Sequence, residues 1–180
     1  QTQKLTIKEF PELRLFSDSV EGEKEGRGLQ GLRSLQSLVI MKCPKLLHSY
    51  SASSITFPTS LQELILMDCG EFRGEGIGPL LAQGHLTKLC IFETPKFFAG
   101  SEPLDKELLP CSSAHQELEL WTHDIAGFLA AHSCSLLSSF LTTLTIGWNE
   151  DVERFTQEQA EALELLTSLQ KLEFLGWKKL

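Results

Sequence analysis

Three groups of residues have types and spacings that could do chemistry. Gly26-Arg27-Gly28-Leu29-Gln30-Gly31 spells G-x-G-x-x-G, the loop whose amides cradle a pyrophosphate when it leaves a strand and opens a helix. Here it follows Glu21-Gly22-Glu23-Lys24-Glu25, a charge run that cannot be a buried strand, so the segment is expected to be a flexible insert. Gly74-Glu75-Gly76-Ile77-Gly78 is expected to be a turn as well. Cys111, His115, His123, His132 and Cys134 are of the types that ligate zinc. Zinc wants four ligands, usually in closely spaced pairs, and Cys111-x-x-x-His115 and His132-x-Cys134 supply only loose ones. Cys43 and Cys69 could act as reactive thiols if a cation, a metal or a helix N-terminus lowered their pKa. The sequence has no G-x-S-x-G elbow, no H-E-x-x-H and no G-x-x-x-x-G-K-[ST] loop, the spacings that hydrolases, zinc proteases and nucleotide-binding proteins use. No catalytic residue, metal ligand or cofactor is therefore expected.

The elements around these residues are set by a repeat. Leu-x-x-Leu-x-(Leu/Ile)-x-x-(Cys/other)-x-x-(Leu/other) occurs clearly at Leu35–Leu46, Leu61–Phe72, Leu86–Phe97, Leu141–Val152 and Leu169–Leu180. Weaker copies are Leu5-x-Ile7-x-x-Phe10-Pro11-x-Leu13 and His115-x-x-Leu118-x-Leu120-x-x-His123. In the second, His115 takes a leucine slot and His123 the corner slot. The second Leu of each copy falls at positions 5, 38, 64, 89, 118, 144 and 172. The spacing of roughly 20–29 residues is that of leucine-rich repeats. The longest interval holds an acidic, glycine-rich insert at 17–28.

Composition agrees with a reused packing solution. The 180 residues include 33 Leu, a single Asn (Asn149) and a single Tyr (Tyr50). A net charge of −8 argues against nucleic acid, whose binding needs a basic face. The uncharged stretch Ile125–Trp148 is broken by His132 and by repeated Ser and Thr, so no membrane span is expected. Five cysteines without paired spacing and no N-x-S/T site point to a reducing, intracellular compartment.

Within Leu-x-Leu the period of two sends both leucines to one side of a short strand. No repeat can bury that side alone, so neighbours must stack into one continuous core under a parallel sheet. Strands are expected at 4–8, 37–41, 63–67, 88–92, 117–121, 143–147 and 171–175. The expected fold is α/β, a right-handed solenoid with a parallel concave sheet and an irregular or helical convex side, one domain over 1–180. Thr156 with Gln159 is a capping-box pair opening a helix through Leu166. Shorter helical pieces are expected at Ile77–Gln83, Glu102–Leu109 and Asp124–Ala131. Leu180 completes a repeat without a polar cap, which suggests a C-terminal segment of something longer.

The residues alternating outward form the candidate binding surface. After the second core position they are Lys8, Met41, Met67, Phe92, Trp121, Gly147 and Leu175. Met41, Met67, Phe92 and Trp121 are expected side by side, a stripe of roughly 14 Å at ~4.8 Å between strands. Val39, Ile65 and Cys90 form the next column, and Glu63, Asp68, Glu93, Glu117 and Glu119 the rim. An exposed apolar stripe marks a binding surface or a contact with another part of the same protein, and the acidic rim favours a partner with a basic patch.

Leu38-x-Ile40-x-x-Cys43-Pro44-x-Leu46, with Thr-Ser-Leu-Gln-x-Leu lead-ins at Thr59–Leu64 and Thr167–Leu172, resembles the leucine-rich-repeat domain of plant nucleotide-binding leucine-rich-repeat immune receptors. The resemblance spans nearly the whole chain. It implies a protein-binding sensor of a cytoplasmic disease-resistance protein, with the nucleus as a second location. Such a sensor meets a pathogen effector or host protein on its concave face and helps hold the parent receptor inactive through contacts with its other domains. The nucleotide switch lies outside this chain, so no nucleotide, nucleic acid or membrane partner is implied. The runner-up is the substrate-recruiting repeat domain of a ubiquitin-ligase adaptor, and a third reading is a small hydrolase or redox enzyme.

Overall fold

Alternating leucines become strands here because each short Leu-x-Leu segment can hide its apolar side only against a neighbour. The computed structural model describes residues 3–14, 28–47, 57–72, 74, 77, 80, 81, 85–98, 117–130, 134, 137–147 and 154–176. It has seven strands, β1 Lys4–Lys8, β2 Ser37–Met41, β3 Glu63–Met67, β4 Lys88–Phe92, β5 Leu118–Thr122, β6 Leu141–Gly147 and β7 Lys171–Leu175. They form one open sheet in the order β1-β2-β3-β4-β5-β6-β7, and every pair is parallel. Two regular helices are described, α1 Ile125–Ala130 and α2 Gln157–Glu164, and Gly28–Gly31 makes a 3-10 turn. Among the described residues no helix is long and apolar enough to cross a membrane.

Register turns the repeat into two continuous rows. Leu5, Leu38, Leu64, Leu89, Leu120, Leu144 and Leu172 stand side by side, as do Ile7, Ile40, Leu66, Ile91, Thr122, Ile146 and Phe174. From β2 to β6 both rows are buried. Each such leucine is worth about 1.5–3 kcal/mol of transfer from water, and its counterparts on the adjacent strands stand directly beside it. At the β7 edge the rows emerge. Leu172 and Phe174 are 39% and 36% exposed, where Leu144 and Ile146 are fully buried.

The chain leaves the strands by a repeated device. Glu9, Lys42, Asp68 and Glu93 have φ of 61°, 53°, 50° and 46°. This left-handed turn aims each amide at the next rung: Glu9 N donates to the Met41 carbonyl (3.0 Å), Lys42 N to Met67 (2.9 Å) and Asp68 N to Phe92 (3.0 Å). The corner residue then closes the bend. Cys43 Sγ donates to the Met41 carbonyl (3.2 Å), Cys69 Sγ to Met67 (3.6 Å) and Thr94 Oγ1 to Phe92 (2.9 Å). At these three corners a small buried donor closes the bend, which accounts for Cys and Thr alike. Beyond the Cys69 corner, Gly70 at φ 70° lies so close to Pro44 that a Cβ would stand 2.6 Å from its carbonyl oxygen.

Opposite the sheet an aromatic chain binds successive connections. Phe57, Phe72, Phe97, Phe98 and Phe128 meet edge-on or tilted with centroids 5.1–6.0 Å apart, within the range of favourable ring pairs. α1 opens on Asp124, whose carboxylate accepts from the Gly127 amide at 2.8 Å. α2 carries the expected capping box: Thr156 and Gln159 bond reciprocally to each other's amides at 3.2 and 3.1 Å. It stops at Glu164, two residues short of the expected Leu166. Ile77, Leu80 and Leu81 of the expected helix Ile77–Gln83 are helical and buried. The insert at 17–28 apart from Gly28, the stretch Glu102–Leu109, and the corner and final residues Trp177 and Leu180 lie outside the described residues.

One repeat differs from expectation. The strand expected at 117–121 runs Leu118–Thr122, and β6 starts two residues earlier than expected, at Leu141. Leu120, not Leu118, pairs with Leu89, while Leu118 pairs with Leu141 above a register shift. The fifth repeat therefore reads Leu120-x-Thr122-x-x-Ile125-x-x-Phe128. Ile125 takes the corner and Phe128 the place of Leu46, Phe72 and Phe97, and all five are buried. A slip of two residues keeps the same side chains inward, so alternation cannot detect it, whereas a slip of one would turn every side chain over.

In urea unfolding Phe128→Ala is expected to cost about 3–5 kcal/mol and His123→Ala under about 1 kcal/mol. Equal losses would put His123 back at the corner. Thr156→Ala is expected to cost about 1 kcal/mol, seen as faster hydrogen exchange confined to the α2 amides; unchanged protection there would remove the cap from the helix's stability.

Candidate functional site

Alternation leaves the other face of the sheet with three rows of side chains. The first is Lys4, Ser37, Glu63, Lys88, Glu119, Thr143 and Lys171; the second is Thr6, Val39, Ile65, Cys90, Trp121, Thr145 and Glu173. The third is Lys8, Met41, Met67 and Phe92, and it ends at Gly147 and Leu175. Met41, Met67 and Phe92 thus stand side by side as expected.

Trp121 does not join them. The two-residue slip of β5 puts it opposite Cys90, in the row of Val39 and Ile65. The place beside Phe92 belongs to His123, whose ring stacks on Phe92 with centroids 6.1 Å apart. The imidazole also replaces a carbonyl in the left-handed ladder, its Nδ1 accepting from the Glu93 amide at 3.2 Å. Nothing in strand alternation distinguishes His123 from a corner residue. The signal that does is Phe128, eight residues after Leu120, as Leu46, Phe72 and Phe97 follow Leu38, Leu64 and Leu89.

The stripe is half-buried rather than open. Met41, Ile65, Met67, Phe92 and Trp121 are partly covered, and Val39 and Cys90 are buried at 8% and 5% exposure. The expected exposed second column is therefore closed at two of its members, Val39, which stands beside Ile65, and Cys90, which stands between Ile65 and Trp121. Phe92 also leans sideways. A Cβ on Gly147 would meet its ring at 3.3 Å, so that glycine is a notch that admits the ring.

Polar groups bracket the apolar rows at both strand ends. In the first row Ser37 donates to Glu63 at 2.6 Å, Trp121 donates its indole N–H to Glu119, and the Lys88 ammonium stands 5.4 Å from the Trp121 ring centroid. Trp121 is thus pinned between a carboxylate and a cation, a preorganised aromatic. At the other end Asp68 and Glu93 are exposed in left-handed turns. Glu117 is exposed just before β5.

The thiols are placed to pack. Burial pushes the Cys69 thiol up to about 12. Burial also raises Cys90 to about 11, with Glu119 and Glu63 adding to the shift and Lys88 opposing it. Burial raises Cys134 too. Nucleophilic cysteines need the opposite shift. Of the Cys and His residues first considered for metal, Cys111, His115 and His132 lie outside the described residues. His123 is on the outward face, and the Cys134 Sγ donates to the Ala162 carbonyl at 3.8 Å. Among the described residues no group of three or more His, Cys, Asp or Glu could hold a metal ion.

Comparison with protein-family models, with curated proteins and with solved structures gives no significant match.

Iodoacetamide at pH 8 is expected to leave Cys69 and Cys90 unmodified in the native state, read by mass spectrometry of their peptides; labelling of either without unfolding would contradict the burial argument. Because folding raises these pKa values from 9.0, the native state holds more protons above that value. The stability these thiols contribute is full below about pH 9 and is expected to fall as pH rises towards 11–12. The check is a urea-unfolding series of wild type against Cys69→Ala, which should show the flatter pH dependence.

Proposed function

We propose that this chain is a non-enzymatic recognition domain of the leucine-rich-repeat type, a right-handed solenoid with the seven-stranded sheet on its concave side. In this reading it is the sensor segment of a plant intracellular nucleotide-binding leucine-rich-repeat immune receptor. It binds a pathogen effector or host protein on the sheet face and contributes to autoinhibition through contacts with other domains of its parent. The observation that carries the recognition reading is the continuous outward row Met41–Met67–Phe92 beside Ile65 and Trp121, held by consecutive parallel strands in one register. Core packing does not require apolar side chains there, since the leucines occupy the other face. The corner Cys43-Pro44 and the Thr-Ser-Leu-Gln-x-Leu lead-ins support the assignment to that receptor family.

Signalling by such a domain is a matter of differential affinity. A partner can shift its parent between closed and open states only by as much as it prefers one of them. Moving a population from 1:99 to 99:1 takes about 5.5 kcal/mol of preference, more than one anchor of about 2 kcal/mol supplies. Several outward residues must therefore act together, and the three rows provide them in one patch. Met41 and Met67 adapt to different shapes, and Trp121 supplies rigid area held by Glu119 and Lys88.

With a partner in hand, Trp121→Ala is expected to lose at least ~2 kcal/mol of affinity by calorimetry, and Phe92→Ala with Met67→Ala to abolish capture in a pull-down. Circular dichroism verifies that the variants fold. Glu158→Gln on α2 serves as the control that retains capture. Partner binding that ignores both Trp121 and Phe92 would remove the sheet face as the site.

A further inference from the structure

Charge is unevenly spread over the outward face. Residues 62–70, 86–95 and 117–124, which hold β3, β4, β5 and their bounding turns, carry Glu63, Asp68, Glu93, Glu117, Glu119 and Asp124 against Lys88 alone. Several of these have structural duties already. Glu63 accepts from Ser37, Glu119 from the Trp121 indole and Asp124 from the Gly127 amide, while Lys88 covers the Trp121 ring. Asp68 and Glu93 are different. They stand at matching positions on consecutive strands, just past Met67 and Phe92, and both are exposed. The cation at the matching position after β2, Lys42, pairs with Glu9 at 3.7 Å, and Lys96, three residues past Glu93, pairs with Glu71 at 2.8 Å. Among the described residues no Lys or Arg forms an ion pair with Asp68 or Glu93.

Folding does not call for these carboxylates. Their φ of 50° and 46° is a conformation glycine adopts freely and an L side chain adopts only under strain. The acidic ledge also borders apolar side chains that the core leaves over. Together the two offer an apolar floor with negative charge along one side, and such a field repels polyanions and anionic lipid surfaces while drawing in cations.

We propose that Asp68 and Glu93, with Met41, Met67 and Phe92, dock a cationic segment of a protein partner. Arginine in that segment reaches the two carboxylates and an apolar neighbour lies across the methionines. Arginine suits the ledge better than lysine because its planar fork can take a carboxylate in two hydrogen bonds and is less strongly hydrated. The inference rests on the recognition reading above and adds to it the sign and chemistry of the partner.

The test uses two fluorescein-labelled ten-residue peptides with the same leucine and tryptophan positions, one bearing four arginines and the other four glutamates. Fluorescence anisotropy at low salt is expected to show binding of the arginine peptide and none of the glutamate peptide. Asp68→Gly with Glu93→Gly should weaken the arginine peptide about tenfold, as the loss of two rim ion pairs allows, while thermal unfolding stays at or above the wild-type midpoint. Glu158→Gln with Glu161→Gln, which removes the same charge from α2, should leave affinity unchanged. Equal loss in both double variants would reduce the effect to net charge and overturn the proposal. Binding of both peptides with loss on Phe92→Ala would keep the docking face and overturn the cationic partner. Binding of neither would overturn the proposed docking altogether.

Discussion

The structure depends on one constraint: no strand can bury its own pair of core side chains, so each must lie parallel and in register with the next. Leu38 and Ile40 are sealed because Leu64 and Leu66 lie beside them, and these in turn by Leu89 and Ile91. Burial is thus a property of neighbouring pairs, and stability accumulates along the sheet through interfaces. The turn geometry serves the same end. The left-handed residues Glu9, Lys42 and Asp68 spend about a kilocalorie each on backbone strain to aim an amide at the following strand. The Cys43, Cys69 and Thr94 donors then tie the bend to the strand that has just ended. The exposed Leu172 and Phe174 show the constraint from the other side: the same positions that vanish between neighbours are open to solvent at the β7 edge.

The outward face follows from that constraint without being fixed by it. Alternation decides that positions 39, 41, 65, 67, 90 and 92 point away from the leucines, but not what occupies them. Their occupants then organise one another across strands. Val39 and Cys90 are buried between strands, Phe92 stacks on His123 and leans towards Gly147, and Trp121 is held by Glu119 and Lys88. The apolar surface that results is smaller than six outward apolar positions would give if each stood alone, and its aromatic side chains are held by contacts with their neighbours. Rigidity of this kind lowers the entropy an interface must surrender on binding.

How much of this was legible in the sequence follows from the same physics. The strands β1 to β4 and β7 could be placed to the residue, because Leu-x-Leu with a corner and a further apolar residue has a period that only one register satisfies. The Thr156–Gln159 cap was equally plain, since its two partners are three residues apart and depend on nothing distant. The fifth repeat was not legible from alternation. Leu118 and Leu120 offer two registers that bury the same side, and the choice is made at Ile125 and Phe128, where a helix begins in place of the usual turn. The same ambiguity reaches the candidate site, where His123 rather than Trp121 stands beside Phe92. Cross-strand leaning was out of reach altogether: that Gly147 makes room for Phe92 depends on two strands separated by a third.

The placement of charge shows how the outward surface of such a sheet can change while the fold stays. Corner donors and leucine rows are buried and specific, so a substitution there disturbs two interfaces at once. The left-handed positions beyond Met41, Met67 and Phe92 are another matter. Their backbone amides do the structural work and their side chains are exposed, so Lys42, Asp68 and Glu93 differ in charge while making equivalent bends. β1 to β4 therefore each end in a site where the sign of the surface can be altered at little cost to packing. Repeated along the sheet, these sites let one apolar floor be bordered by different charge patterns, which govern partner choice and encounter rate more than affinity itself. In this chain Lys42 is answered by Glu9, leaving the negative pair Asp68 and Glu93 to set the sign beside the methionines.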